Sequence, residues 1–342
     1  MKIVFFDVKN YEKSYFEKNL DFENNEILFY NEPLLQACGL SDEVLSAEIL
    51  SVTAFSRLSA EVLEKFKNLK LVTTRSVGFS HIDRKYCENR GIEIAITPHY
   101  GDNTVAEFAF ALLLNLIRKV HFAISEIKYG GDDGKYEGVE LFGKTIGIIG
   151  VGSIGMQSVR IAHGFGMKIL CNDLFKNTYI EQKYHADFVG IETLCQNSDF
   201  ISLHAPYTEQ NYHLFDEKLF GMMKPNSYLI NTARGELIDT KALYKALTEG
   251  KIKGAALDVV ECEELFNPVN SYLDSAENNC SECLKKTLIN HLLASLDNVI
   301  VTPHIAYNTT EAAERILQMT VQNIREFTNR NKLTNSLENQ QR

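Results

Sequence analysis

The chain has 342 residues, 45% of them hydrophobic, a balance ordinary for a globular protein and a length that exceeds one core and suits two domains. Its 35 basic and 45 acidic residues leave a net charge of −10. That field repels phosphates and anionic lipids, so neither nucleic acid nor a membrane surface is an expected partner. No apolar run reaches the ~18 residues of a membrane span.

The opening residues MKIVFFDVKN carry Asp7 inside their apolar stretch and no small-residue cleavage site, so they read as a first strand. Apolar runs follow at 26–29, 49–53, 69–73 and 93–96. A second series lies at 146–150, 168–172, 186–189, 199–203, 228–231, 254–258 and 299–302. Short Val/Ile-rich runs separated by helical patterns indicate parallel βαβ units. Twelve such strands exceed one ordinary sheet. The expected architecture is therefore α/β, with two doubly wound parallel sheets.

Between the two series, 103–121 is apolar nearly all round, with Asn103 as a cap and Glu107 near the positive end of the helix dipole. A helix without a polar face must be buried on every side. A homodimer interface is the expected cover, and a position between the two domains is the alternative. Residues 264–297 read as a long polar insertion without a strand. A last helix, 311–327, precedes the polar segment NRNKLTNSLENQQR, which is expected to fray.

Seven cysteines (Cys38, Cys87, Cys171, Cys195, Cys262, Cys280 and Cys283) are odd in number and scattered. This is no disulfide scaffold, and reduced thiols in a cytoplasmic protein are expected. Cys280 and Cys283 form one CxxC, but zinc needs four ligands and no second pair exists. They read as loop thiols, and no metal site is expected.

The run IGIIGVGSIG, 146–155, is a strand entering a glycine turn and then a helix. A GxGxxG pattern alone is weak, but Asp173 stands at the end of the next strand, as a dinucleotide site requires. Gly150 permits the tight turn, Gly152 lets a pyrophosphate approach the backbone, and Gly155 lets helix and strand pack. The helix N-terminus then faces the pyrophosphate. Asp173 is placed to accept from ribose hydroxyls and to repel a 2′-phosphate, which selects NAD over NADP; nearby Lys176 works against that choice.

Three later segments follow successive strands: Asn231-Thr-Ala-Arg234-Gly, Leu257-Asp258-Val-Val-Glu261-Cys-Glu263 and Thr302-Pro-His304-Ile-Ala. Together with Val77-Gly78, Asn103-Thr-Val-Ala-Glu107 and Leu203-His-Ala-Pro206, they resemble the D-isomer-specific 2-hydroxyacid dehydrogenases along essentially the whole chain, with lactate dehydrogenases the nearest in pattern. The resemblance implies a Rossmann NAD-binding domain, 101–303, inserted in a discontinuous flavodoxin-like substrate domain, 1–100 and 304–342, with the chemistry between them. It implies that Arg234 binds the substrate carboxylate, a role its bidentate fork suits. His304 would be the acid–base, and Glu263 the carboxylate that orients it and favours its charged form. Glu261 competes for that last role, but the family spacing from Asp258 selects Glu263.

The same resemblance puts Ser153 and Ile154 at the pyrophosphate turn, and Ala205, Pro206 and Asn211 near the cofactor. Thr232 and Ala233 lead into Arg234, and Asp258 contacts the nicotinamide end. The backbone of Val77 and Gly78 would help hold the substrate carboxylate. His204 and His213 read as structural. Tyr100 and Tyr307 match aromatic positions bordering the substrate side chain, which favours pyruvate. A broader reductase of 2-oxoisocaproate, phenylpyruvate or glyoxylate is the alternative within the class. An NADH-sensing, corepressor-like binding protein is the alternative outside it, and Arg234, Glu263 and His304 together weigh against that.

Overall fold

The computed structural model describes residues 1–35, 39–131, 134–266 and 281–337. The chain divides into two compact units, Met1–Tyr100 with Thr309–Arg342, and Gly101–Asn308.

The first unit is built on a five-stranded parallel sheet: β1 (Lys2–Phe5), β2 (Glu26–Phe29), β3 (Ile49–Val52), β4 (Leu71–Thr74) and β5 (Glu93–Ala95), in spatial order β2-β1-β3-β4-β5. β3 and β4 are buried along their whole length, which explains why they read as continuous apolar runs. One face packs the helix Thr310–Thr328, which brings Leu317, Val321 and Ile324 onto Ile3, Phe5, Ile49 and Leu71. Thr309 caps that helix, its Oγ1 accepting from the Ala312 N–H at 3.2 Å.

The residues after this helix do not behave as expected. Leu333 and Leu337 are buried, and the Ile96 N–H donates to the Asn335 carbonyl at 3.0 Å. Asn335 also donates to Asn323 Oδ1 at 2.9 Å. Two leucines four apart give this polar stretch an apolar foothold, so 329–337 is docked rather than frayed; 338–342 lie outside the described residues.

The second unit holds a seven-stranded parallel sheet: β6 (Thr145–Ile149), β7 (Lys168–Asn172), β8 (Asp187–Phe188), β9 (Phe200–Leu203), β10 (Tyr228–Asn231), β11 (Gly254–Leu257) and β12 (Val299–Val301). Their order is β12-β11-β10-β9-β6-β7-β8. The winding reverses between β6 and β9, the switch point where doubly wound sheets bind ligands beyond the strand ends.

The apolar segment 103–121 is not one helix. It forms Asp102–Ile117, then breaks at Lys119, whose φ is 54°, and continues as Val120–Tyr129 at an angle of 59°. Ala109, Phe110, Leu112, Leu113, Leu116 and Ile117 of the first helix are buried in the unit's own core, with Ile146, Ile148 and Val159. Its own unit therefore covers most of the face that the sequence assigned to a partner subunit. The second helix has no buried residue and exposes Val120, Ile124 and Ile127. Among the described residues no single helix is long and apolar enough to cross a membrane.

Residues 281–294 also depart from the expected insertion. Ser281–Ala294 is a helix on the crossover from β11 to β12. It buries Thr287, Asn290 and Leu293 and leaves Leu284, Leu288 and Leu292 exposed.

A core role for Asp102–Ile117 carries an expected outcome. Leu113, 1% exposed, should lose about 2–5 kcal/mol on replacement by Ala. The exposed Ala111 should tolerate Ser within about 0.5 kcal/mol. Urea unfolding of the two variants checks this, and equal effects would show that the helix is not held by its own unit.

Candidate active site

Because every strand of the second sheet runs the same way, the segments after β6, β7, β9, β10, β11 and β12 share one edge. The glycine turn comes first. Gly150 has a φ of 84°, and a side chain there would strike the Ala205 backbone; one on Gly155 would strike the Gly150 carbonyl. At Gly152 a Cβ would meet nothing within 4 Å, so this glycine keeps room above the turn, not inside the fold. The helix Ser153–Gly164 starts there, with Ser153 and Ile154 half-buried.

Asp173, after β7, accepts from the Val151 N–H at 2.6 Å and from the Phe175 N–H at 3.0 Å. Its carboxylate is thereby fixed beside the turn. Lys176 is paired with Glu181 at 2.7 Å. After β9, Ala205 is half-buried and Pro206 exposed. Asn211 folds the loop between them and β10, donating to the Pro206 carbonyl at 2.8 Å and accepting from the Thr208 N–H at 2.7 Å. Thr232 is buried and its Oγ1 has no hydrogen-bond partner. An open turn at a helix N-terminus, a carboxylate at the second strand end and an unpartnered buried hydroxyl after β10 suit a dinucleotide.

Arg234 is exposed at the end of the β10 turn. Asn231 shapes that turn: its Nδ2 donates to the Arg234 carbonyl at 2.9 Å and its Oδ1 accepts from the Ala233 N–H at 3.0 Å. A side chain on Gly235 would strike Val260, so the β10 and β11 loops are in backbone contact.

Asp258 is 1% exposed and faces the loop after β12. Its Oδ1 accepts from Thr302 Oγ1 at 2.5 Å and from the Ile305 N–H at 3.0 Å, and its Oδ2 accepts from the Ala306 N–H at 2.8 Å. This loop holds His304 in the left-handed region, φ 54°. These bonds keep His304 with the second unit, although the sequence placed it at the start of the returning segment.

His304 Nδ1 lies 2.8 Å from Glu263 Oε1. Burial alone would push the imidazole pKa down. The Glu263 hydrogen bond and charge, aided by Asp258, outweigh burial and the nearby Arg234 charge, so the net shift is upward.

Glu261, the competing carboxylate, points elsewhere and is 2% exposed. Its Oε1 lies 2.8 Å from His213 Nε2 and accepts from Lys286 Nζ at 2.8 Å, while its Oε2 accepts from Thr240 Oγ1 at 2.6 Å. Burial would raise its pKa, but the bonds from Lys286, Thr240 and His213 lower it overall. His204 is half-buried, and loss of solvation pushes its pKa down to about 4; its Nε2 lies 2.9 Å from both Ser158 and Ser202.

Lys286, Thr240, Asn231 and Asn290 carry no role in the sequence reading, because nothing in their local pattern points to one. Nor does that reading pair Cys262 with Cys283, which form a disulfide. This corrects the expectation of thiols throughout and of a Cys280/Cys283 loop pair; Cys280 and Cys38 lie outside the described residues. Cys87, Cys171 and Cys195 are buried free thiols.

In the first unit, the segment after β4 carries Val77, exposed, and Gly78, whose carbonyl accepts from Ser76 Oγ at 2.7 Å. Arg75, also unremarked in the sequence, is buried and donates to the Phe6 and Asp7 carbonyls, each at 2.6 Å. It ties this segment to the end of β1. Tyr100 closes this unit's first segment and Tyr307 lies in the second unit; both are half-buried.

A sequence model described as the D-isomer specific 2-hydroxyacid dehydrogenase, NAD binding domain, matches residues 110–306. A glyoxylate reductase of Thermofilum pendens is 39% identical over 78% of this chain and 74% of its own. The 2-hydroxyacid dehydrogenase homolog 1 of Schizosaccharomyces pombe is 36% identical over 97% of each. The crystal structure of D-lactate dehydrogenase from Aquifex aeolicus, complexed with NAD and lactic acid, superposes with a TM-score of 0.84 at 34% identity, covering 98% of each chain. The chain belongs to the D-isomer-specific 2-hydroxyacid dehydrogenases, and is an NAD-dependent oxidoreductase of that family.

Proposed function

We propose that the protein reduces pyruvate to D-lactate, with Arg234, His304 and Glu263 as its catalytic group. The observation that carries the reading is the 2.8 Å His304–Glu263 contact on the strand-end edge that also presents Arg234. Bound NADH supplies the hydride. Arg234 grips the substrate carboxylate with its fork. Glu263 accepts a hydrogen bond from the Nδ1–H of His304, which leaves the protonated Nε2 to deliver its proton to the substrate oxygen during reduction and the neutral Nε2 to take it back in reverse. Asp258 acts through the His304 loop, since the three hydrogen bonds of its carboxylate all go there. Gly150, Gly152, Ser153, Ile154 and Gly155 hold the pyrophosphate, and Asp173 the ribose. Ala205, Pro206, Asn211, Thr232 and Ala233 border the cofactor.

Pyruvate is favoured by the family's aromatic positions, filled here by Tyr100 and Tyr307, each half-buried in its own unit, and by the likeness to the Aquifex D-lactate dehydrogenase. The Thermofilum relative's name favours glyoxylate as a second substrate. We further propose a two-fold homodimer covering the exposed apolar face of Val120–Tyr129.

With NADH, pyruvate should give a higher kcat/KM than glyoxylate, 2-oxoisocaproate or phenylpyruvate, and NADPH should be used poorly. Asp173→Ala should narrow the cofactor preference, because the repulsion of a 2′-phosphate is gone. A steady-state panel checks both; a preference for phenylpyruvate would sink the small-substrate argument.

The upward shift of His304 sets the pH dependence. Protonated imidazole, the form needed for reduction, persists above its ordinary pKa of about 6.5 and is lost as pH rises through the raised value. Glu263→Gln removes the charge and keeps the shape, so the reduction limb of kcat/KM should move to lower pH and oxidation should improve at lower pH. An unmoved limb would show that Glu263 is not the partner. For assembly, sedimentation velocity at micromolar concentration should find a dimer. An active monomer would remove that part of the proposal.

A further inference from the structure

The disulfide joins the residue next to Glu263 to the helix Ser281–Ala294. Cys262 lies between Glu261 and Glu263 and adopts the left-handed region, φ 53°. Cys283 lies in the first turn of Ser281–Ala294. That helix also carries Lys286, which donates to Glu261 Oε1, and Asn290, whose Nδ2 donates to the Glu261 carbonyl at 2.8 Å. These anchors hold the chain on one side of Cys262. Glu263 stands on the other side, with 42% of its side chain exposed, and the sulfur bridge is the covalent restraint next to it. Left-handed backbone is unfavourable for a residue with a Cβ, so Cys262 keeps it only while neighbouring contacts impose it.

The remaining described cysteines do not compete. Cys87, Cys171 and Cys195 are buried, and burial pushes their thiols up to about 11, 12 and 12. Exchange needs a thiolate, so they are inert. Cys262 and Cys283 are only half-buried, within reach of a reagent in solution.

We propose that Cys262–Cys283 is a reversible thiol–disulfide site that controls the Glu263–His304 pair. Closed, it holds Glu263 on the imidazole; opened by a dithiol reductant, it lets Glu263 leave. One thiolate of the reductant attacks a cysteine sulfur, the S–S bond breaks, and the other cysteine departs as thiolate. The reductant's second thiolate then attacks the mixed disulfide and closes the reductant's own ring. Two electrons pass to the protein, and the two cysteine sulfurs end as thiols after taking up two protons. The inference rests on the assignment of Glu263 as partner of His304.

The test uses the full-length chain with Cys280→Ser, which removes the competing thiol nearest in sequence. It is equilibrated with oxidised glutathione or with dithiothreitol, trapped with iodoacetamide and weighed. Each form is assayed across pH with NADH and a 2-oxo acid, and hydrogen exchange is followed over 259–266. Reduction should make Cys262 and Cys283 alkylatable and speed exchange after Cys262. It should also move the reduction limb of kcat/KM down by roughly one pKa unit, about tenfold in rate above the limb. Reoxidation should restore both. Cys262→Ser with Cys283→Ser should behave as the reduced form under either condition. The proposal is overturned if both cysteines stay alkylatable after oxidation. It is also overturned if reduction leaves both the exchange and the pH limb unchanged. A chain that turns over no 2-oxo acid in either form would defeat the catalytic reading, and hydrogen exchange alone would then decide whether the bridge governs the Glu263 segment.

Discussion

The Asp258 carboxylate is the fixed point of the second unit's strand-end edge. It is buried at the end of β11 and gathers Thr302, Ile305 and Ala306 from the loop after β12. A left-handed residue with a Cβ costs about 1–3 kcal/mol, whereas hydrogen bonds to a charged group contribute roughly 1.5–3 kcal/mol each. The balance favours holding His304 in a backbone conformation it would not choose. The imidazole is thus aimed by a carboxylate that does not touch it, and its charge state is set by another that does.

Two further carboxylates, Glu261 and Glu263, stand two residues apart in different settings. Glu261 is buried and satisfied by Lys286, Thr240 and His213, which keeps it ionised despite burial. Removing one partner from such a buried pair typically costs about 3–5 kcal/mol, because a charge is left uncompensated. Glu263 keeps solvent contact and one imidazole neighbour, a setting in which its charge can act on a reaction.

The twelve strands of the described residues were legible, and those such as β3, β4, β9 and β10 that are buried along their whole length leave the clearest apolar runs. The glycine turn was legible because sterics at Gly150 and Gly155 admit no other residue. The Ser281–Ala294 helix was not. Two of its three buried residues, Thr287 and Asn290, are polar, Asn290 donating to the Glu261 carbonyl, while Leu284, Leu288 and Leu292 lie outside. A search for apolar periodicity finds the wrong face of such a helix. The burial of Asp102–Ile117 was legible but its cover was not, since an all-round apolar helix does not say whether its own chain or another encloses it. The Cys262–Cys283 pairing crosses 21 residues and depends on where a helix lands, which spacing cannot supply.

The docked segment 329–337 has a consequence for how the first sheet meets its surroundings. β5 is an outer strand, and outer strands offer unpaired backbone to any extended peptide. Here the Ile96 N–H is taken by Asn335, and Ala95 faces Ser336 in an antiparallel bridge. The chain shields its own sheet margin with residues 333–337, fastened by Leu333 and Leu337. Residues 333–337 thereby guard this margin against pairing with another extended chain, so a cut ahead of Leu333 would bare the edge before it touched any reacting group.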